Sequence, residues 1–257
     1  MKSQFFKSIC LFFCLFGFFT ISAQNSRFNK LTYTNTKGDS LNYRLLAPDY
    51  DTIRSYPLVI FLHGSGERGS DNEAQLKWGV SNFATDQAMT LFPAFVIAPQ
   101  CPENDWWSHF DTNKNNRALK LNGMPSKPMA LLIELIQQFI KNNRVDVNRI
   151  YITGLSMGAY GTFDALMRYP NLFAAAVPVC GAGDVSNAAS IAKIPMWIFH
   201  GAEDAAVNPL YSVEMHQALI KAGAHPGFTM YPEVGHFSWL AAYSDPLMMA
   251  WLFRQHK

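Results

Sequence analysis

The stretch Arg149-Ile-Tyr-Ile-Thr-Gly-Leu-Ser-Met-Gly-Ala-Tyr-Gly161 constrains this chain more than any other. An apolar strand, Ile150 to Thr153, runs straight into Gly154-Leu155-Ser156-Met157-Gly158. Met157, Phe163, Leu166 and Met167 then follow at helical spacing until Tyr169-Pro170 ends the run. A serine at a sharp strand-to-helix turn is a nucleophile elbow. The turn strains the serine backbone and lifts its hydroxyl clear of the sheet, and glycines flank it because side chains there would strike neighbouring backbone. The five-residue pattern alone is common, about one chance match per ten chains at ordinary glycine usage. The strand before it and the helix after it supply the specificity.

A serine hydroxyl is a poor nucleophile near neutral pH, so it needs a histidine to take its proton and a carboxylate to orient that histidine. Behind such an elbow the chain order is serine, acid, histidine, with the acid after a late strand and the histidine after the last. Pro195-Met-Trp-Ile-Phe-His-Gly201 reads as a buried strand, and Gly201-Ala-Glu-Asp204 as the loop leaving it. Phe228-Thr-Met-Tyr231 is the next strand, followed by Pro232-Glu-Val-Gly-His236. Asp204 and His236 therefore fall where orienter and base belong. Glu203 is adjacent, and Asp184 follows the preceding strand Ala174 to Val179, so both stand as alternative acids. Asp164 and Asp245 lie in helical patterns and read as solvated or capping residues. His63 reads as a brace for its own loop, and His200 as a structural residue ending a strand. His216 and His225 flank a helix, while His109 and His256 lie in loop and tail. No histidine pair has the spacing of a zinc site, and the sequence implies neither metal nor cofactor.

Acyl transfer also needs N–H groups facing the oxygen that becomes negative. One is the backbone N–H of Met157, directly after the nucleophile, and the other comes from the loop after the third strand. Leu58-Val-Ile-Phe-Leu62 is that strand and His63-Gly-Ser-Gly-Glu-Arg-Gly69 that loop, with Ser65 as the expected second donor. A phosphate-binding reading of the loop fails because no Lys-Ser/Thr follows. Glu67 and Arg68 receive no role from the sequence.

Five stretches carry a wider likeness: Phe61-Leu-His-Gly-Ser-Gly-Glu-Arg-Gly69, Ala98-Pro-Gln-Cys-Pro102, Gly154 to Gly161, His200-Gly-Ala-Glu-Asp204 and Val234-Gly-His-Phe-Ser-Trp239. Together they resemble the secreted α/β-hydrolase serine esterases of the dienelactone hydrolase, feruloyl and acetylxylan esterase and predicted-peptidase group. They span most of the chain beyond its N-terminal segment. The resemblance implies the α/β-hydrolase fold and a triad of Ser156, Asp204 and His236, in agreement with the residue-level reading. Two departures stand out. Ala159 replaces a glycine common after the elbow, and Phe237 follows the histidine where many relatives carry a polar or small residue. A phenylalanine there narrows or greases the pocket, so the group's substrate range does not transfer directly.

The remaining pattern is that of an α/β protein. Leu31 to Asn35 and Leu41 to Leu46 alternate around Lys37-Gly38-Asp39, predicting a leading β-hairpin. Apolar runs near 58, 95, 150, 174, 196 and 228 then alternate with helices, predicting a mostly parallel central sheet with helices on both faces. Met129 to Asn142 is the clearest helix, with Met129, Leu132, Ile133, Ile136, Phe139 and Ile140 on one side. Cys101 to Lys127 shows no convincing periodicity, and a loop of that length in a compact domain is usually functional. It leaves the C-terminal end of a strand, where open α/β sheets bind ligands. Its Trp106 and Trp107 read equally as a stacking surface for a sugar or aromatic ring and as anchors of the loop. Trp239 and Phe237 are expected to wall the pocket, whereas Trp197 and Trp251 read as core.

At 257 residues the chain accommodates one full α/β domain, expected over 24–257. Residues 1–23 read as a secretory signal peptide: Lys2 and Lys7, an apolar run Ile9 to Phe19, and Ser22-Ala23-Gln24 for cleavage. A secreted or periplasmic enzyme without stable membrane association follows. A formal charge of +2 without basic clusters gives no footprint for nucleic acid. Cys101 and Cys180 end strands that the fold separates by two others, roughly 14 Å at about 4.8 Å per strand, which is too far for a disulfide. The expected activity is hydrolysis of carboxylic esters, with short or aromatic acyl groups or carbohydrate ester substrates, through an acyl-enzyme. A serine peptidase using the same triad, and a non-catalytic binding protein on the same scaffold, are the alternatives.

Overall fold

The structure is a computed structural model that describes residues 24–48, 53–112 and 118–257, so the expected signal segment 1–23 lies outside the described residues. Eight strands form one sheet in the order β1-β2-β4-β3-β7-β8-β9-β10. β1 (Asn29–Thr34) and β2 (Ser40–Leu46) are the antiparallel leading hairpin, and β2 pairs antiparallel with β4 (Phe95–Pro99). From there β3 (Tyr56–Leu62), β7 (Val145–Leu155), β8 (Ala175–Val179), β9 (Trp197–Gly201) and β10 (Gly227–Tyr231) continue in parallel. This is the α/β-hydrolase fold that the elbow and the resemblance implied.

Helices α1 (Asp86–Leu91), α2 (Lys127–Asn142), α3 (Met157–Arg168), α4 (Ala188–Ile191), α5 (Leu210–Lys221), α6 (Trp239–Ser244) and α7 (Pro246–Phe253) cover the two faces. Every residue of β3 is buried, as expected for a strand covered on both sides. Its successive side chains divide between two cores. Leu58, Ile60 and Leu62 pack with Leu132, Ile136 and Phe139 of α2 and Phe163 and Leu166 of α3. Val59 and Phe61 pack with Val80, Phe83, Tyr243 of α6 and Leu252 of α7. Each such side chain contributes about 1.5–3 kcal/mol of burial. The two faces thus clamp the strands whose C-terminal ends carry the elbow and its neighbours.

Two elements depart from the sequence reading. β7 begins at Val145, five residues before the expected start, because Tyr56 pairs with Val145 before the register shifts to Leu58 with Ile150. The intervening Asp146 to Arg149 carry an Asp146–Arg149 pair at 2.6 Å. The long loop also holds a small antiparallel hairpin, β5 (Phe110–Thr112) with β6 (Leu119–Leu121). Three residues per strand are too few for alternation to register. Cys101 and Cys180 are free and buried, as the strand order required.

Candidate active site

Ser156 stands between β7 and α3 with φ 51° and ψ −117°. The flanking glycines admit no side chain: a Cβ on Gly158 would lie 2.0 Å from the Leu62 carbonyl oxygen, and one on Gly154 would lie 2.4 Å from that of Gly158. The same Gly158 position lies 2.8 Å from the His63 carbonyl oxygen, so the elbow sits directly on the loop leaving β3. His236 opens a short helical turn after β10, and its Nε2 is 2.9 Å from Ser156 Oγ. His236 Nδ1–H donates to Asp204 Oδ2 at 2.7 Å. The other carboxylate oxygen of Asp204, Oδ1, accepts the N–H groups of Ala206 and Val207, both at 2.9 Å. The Asp204 side chain is fully buried, whereas that of His236 is partly exposed. The structure therefore aligns a hydroxyl, an imidazole and a desolvated carboxylate in series.

The alternative acids lie elsewhere. Asp184 is used up in a cap and a tie to β6: Oδ1 accepts from Ser186 N–H and Oγ–H, and Oδ2 from Leu121 N–H and the Asn187 amide. Glu203 is exposed. Asp245 caps α7 through Leu247 N–H, as expected. Asp164 differs from its sequence reading, for it is buried and pairs with Arg168 at 2.7 Å. Arg168 in turn donates to the carbonyls of Asn122 and Gly123, which ties the end of the long loop to α3.

Met157 opens α3, so its N–H has no intrahelical acceptor. Ser65 opens a 3-10 turn, Ser65–Glu67, in the loop after β3. That loop is braced from below by His63. Its Nδ1–H donates to the Gly64 carbonyl at 2.6 Å, and its Nε2 accepts Cys101 N–H at 2.9 Å. Burial pushes this imidazole down to about 4, so it is neutral, as the two bonds require. Glu67 is buried in the same loop, and burial raises its carboxyl above the ordinary range. Arg68 reaches outward, donating to the Ser65 carbonyl at 3.0 Å and lying 4.6 Å over the Trp106 ring.

The aromatic residues separate into two groups. Trp107 is fully buried and cannot meet a substrate, which corrects its reading as a binding residue. Its indole N–H donates to the His63 carbonyl at 3.1 Å, and its own carbonyl accepts Ser126 Oγ–H at 3.0 Å, so it anchors the loop. Trp106 and Phe237 are exposed, at 48% and 54%. Trp239 is buried and meets His236 edge-on at 5.1 Å, forming a wall behind the imidazole. Trp78 was not singled out by sequence. It meets Phe237 at 5.9 Å and Trp239 at 6.3 Å, extending the aromatic surface beside His236. It lies in an irregular segment of short turns, where no periodicity marks it.

Cys180 was also missed. It ends β8 at φ 46°, and its thiol lies with an Asp204 oxygen and a His236 nitrogen inside 4.8 Å. These are metal-ligand types. Here, however, the carboxylate and imidazole are bonded to each other, and burial pushes the thiol up to about 12, so it keeps its proton.

Residues 52–245 match the phospholipase/carboxylesterase family of α/β-hydrolases. The chain belongs to that family. It is similar to a thermostable esterase of known structure, with a TM-score of 0.84 and 38% identity over 91% of this chain and 64% of that one. It is 27% identical to acyl-protein thioesterase 1 homolog 2 of Dictyostelium discoideum, over 64% of this chain and 78% of the relative. It is 28% identical to poly(3-hydroxyalkanoate) depolymerase C of Paucimonas lemoignei, over 49% of this chain. The matched region is 28% of the depolymerase.

Proposed function

We propose that this protein is a secreted serine esterase. Ser156 Oγ attacks the ester carbonyl carbon while His236 Nε2 takes its proton, and the backbone N–H groups of Met157 and Ser65 receive the developing oxyanion. His236 then protonates the leaving alcohol as the tetrahedral intermediate collapses to the acyl-enzyme. Water, deprotonated by the same nitrogen, attacks the acyl-enzyme and releases the acid. Asp204 holds the imidazole with Nδ1 protonated and stabilises its charged form.

The observation that carries this reading is the unbroken series from Ser156 Oγ through His236 to Asp204, at 2.9 and 2.7 Å. Exposed Phe237 and Trp106, with Trp78 behind Phe237, support short or aromatic acyl groups, including esters carried on carbohydrate. The signal-like segment 1–23 supports export, and N-terminal sequencing of the mature protein is expected to begin at Gln24. A fluorophosphonate probe tests the activity. It is expected to label the wild-type protein at Ser156 and to leave Ser156→Ala unlabelled; an unlabelled wild-type protein that is folded would overturn the proposal.

A further inference from the structure

Asp204 touches two histidines, and the acyl-transfer scheme uses only one. Oδ2 accepts His236 Nδ1–H and also faces His200 Nε2 at 3.2 Å. His200 ends β9 and is fully buried. Its surroundings fix its proton. Nε2 faces the Val207 carbonyl oxygen at 3.0 Å as well as Asp204 Oδ2, and two oxygens without hydrogens demand a donor between them. Nδ1 lies 2.7 Å from Ser212 Oγ, whose one hydrogen has a second acceptor in the Gly181 carbonyl at a longer 3.3 Å; with Nε2 protonated in a neutral ring, Nδ1 is the acceptor of that O–H. Burial holds this imidazole below its ordinary value, so it is neutral at neutral pH, with its one proton on Nε2.

We infer that His200 is a positioning residue for the triad, its Nε2–H fixing the Asp204 oxygen that orients His236 and taking up part of that oxygen's charge. The inference rests on the catalytic reading above. A carboxylate oxygen shared between two N–H donors attracts the His236 proton less than one with a single donor. His200 therefore weakens the pull of Asp204 on the His236 Nδ1 proton while keeping the carboxylate in place. Other titratable groups near the pair add no competing charge. Cys180 at the end of β8 and Tyr160 of α3 both face Asp204, and burial pushes the thiol and the phenol up to about 12. Tyr211 of α5 lies near Tyr160. The Val207 carbonyl and the Ser212 hydroxyl, from the two sides of His200, set its ring angle.

The test uses the full-length protein and pH profiles of kcat/KM on a soluble acetate ester. His200→Phe fills much of the ring's volume without a donor, His200→Gln returns an N–H near the Nε2 position, and Ser212→Ala frees the ring's other side. In His200→Phe the acid limb is expected to move to higher pH by about 0.5–1 unit. Its kcat is expected to fall on the order of tenfold with KM unchanged. His200→Gln should bring the limb back toward the wild-type position. A wild-type limb in all three variants, with only thermal stability lowered, would reduce His200 to packing and overturn the inference. If His200→Phe does not fold, the low-field proton resonance of His236 Nδ1–H in His200→Gln and Ser212→Ala decides. Displacement in Ser212→Ala supports the inference, and an unmoved signal in both variants overturns it. Ser156→Ala runs alongside: full activity there sinks the catalytic reading and this inference together, whereas an inactive Ser156→Ala with unmoved His200 profiles sinks this inference alone.

Discussion

At Ser156, φ of 51° and ψ of −117° hold a non-glycine residue where L side chains are strained, at a typical cost of about 1–3 kcal/mol. Packing at Gly154 and Gly158 imposes that conformation, so removing the hydroxyl should not relieve it. Ser156→Ala is expected to stay folded and lose on the order of 10⁶ in kcat. Ser156→Gly should be equally inactive yet melt no lower than the alanine variant, since glycine adopts this geometry freely. An alanine variant that still hydrolyses esters, with contaminating hydrolases excluded, would contradict the nucleophile assignment. For the acid, Asp204→Asn should lose roughly 10⁴ in kcat because the amide favours the wrong imidazole tautomer. Asp184→Asn should leave kcat unchanged, because its four bonds go to Ser186, Asn187 and Leu121 and none to His236; the reverse pattern would move the acid to the earlier strand. These residues were legible in sequence because each lies just beyond an apolar strand. Trp78 was not, since it lies in no periodic element, and Cys180, though just beyond a strand, was legible as a strand end but not as a neighbour of Asp204 and His236, since only the folded sheet brings them together.

The loop leaving β3 is held by buried groups rather than by its own sequence, and this gives it a pH dependence. His63 bonds the Gly64 carbonyl and Cys101 N–H, and Trp107 bonds the His63 carbonyl, so one imidazole joins the ends of β3 and β4 to the long loop. Its value is pushed down to about 4 from an ordinary 6.5. Between those limits the unfolded chain binds the proton and the native protein does not. Stability is therefore fully present above about pH 6.5 and is lost as pH falls toward 4, by about 3 kcal/mol. His200, lowered by burial too, acts in the same direction. Urea midpoints between pH 7 and 4 should fall steadily in the wild-type protein and more shallowly in His63→Gln; equal slopes would show that His63 does not titrate as proposed. At this scale the sequence was legible for the long elements. The hairpin β1–β2, the central strands and α2 all carry periods that survive in one dimension. β5–β6 and the start of β7 do not, because three-residue strands and a register shift leave no period to read. The two readings of Trp106 and Trp107 were likewise inseparable in sequence, since neighbouring indoles look alike until one is buried.

Across the whole molecule, the hydroxyl, imidazole and carboxylate gather at the C-terminal edge of the parallel strands, the edge on which open α/β sheets present ligand sites. Exposed aromatic rings stand beside the histidine and the loop after β3. Phe237 is half-exposed against Trp78, and Trp106 is half-exposed beneath the Arg68 guanidinium. Flat rings over a polar loop suit a planar acyl group or the face of a sugar. A long acyl chain instead gains about 0.8 kcal/mol for each CH₂ it buries, which needs a continuous apolar channel. Short and aromatic esters are therefore expected to outcompete long-chain ones. Phe237→Ala and Trp106→Ala should raise KM for a phenolic or sugar ester several-fold while sparing a small acetate ester. Trp107→Ala makes the opposite case: it empties the core, and by about 3–5 kcal/mol should lower stability for every substrate alike. Chain-length profiling decides between the two pocket types. A kcat/KM that climbs steadily from acetate to palmitate, with the Phe237 and Trp106 variants unaffected, would replace these aromatic rings with a lipase-like channel as the determinant of specificity.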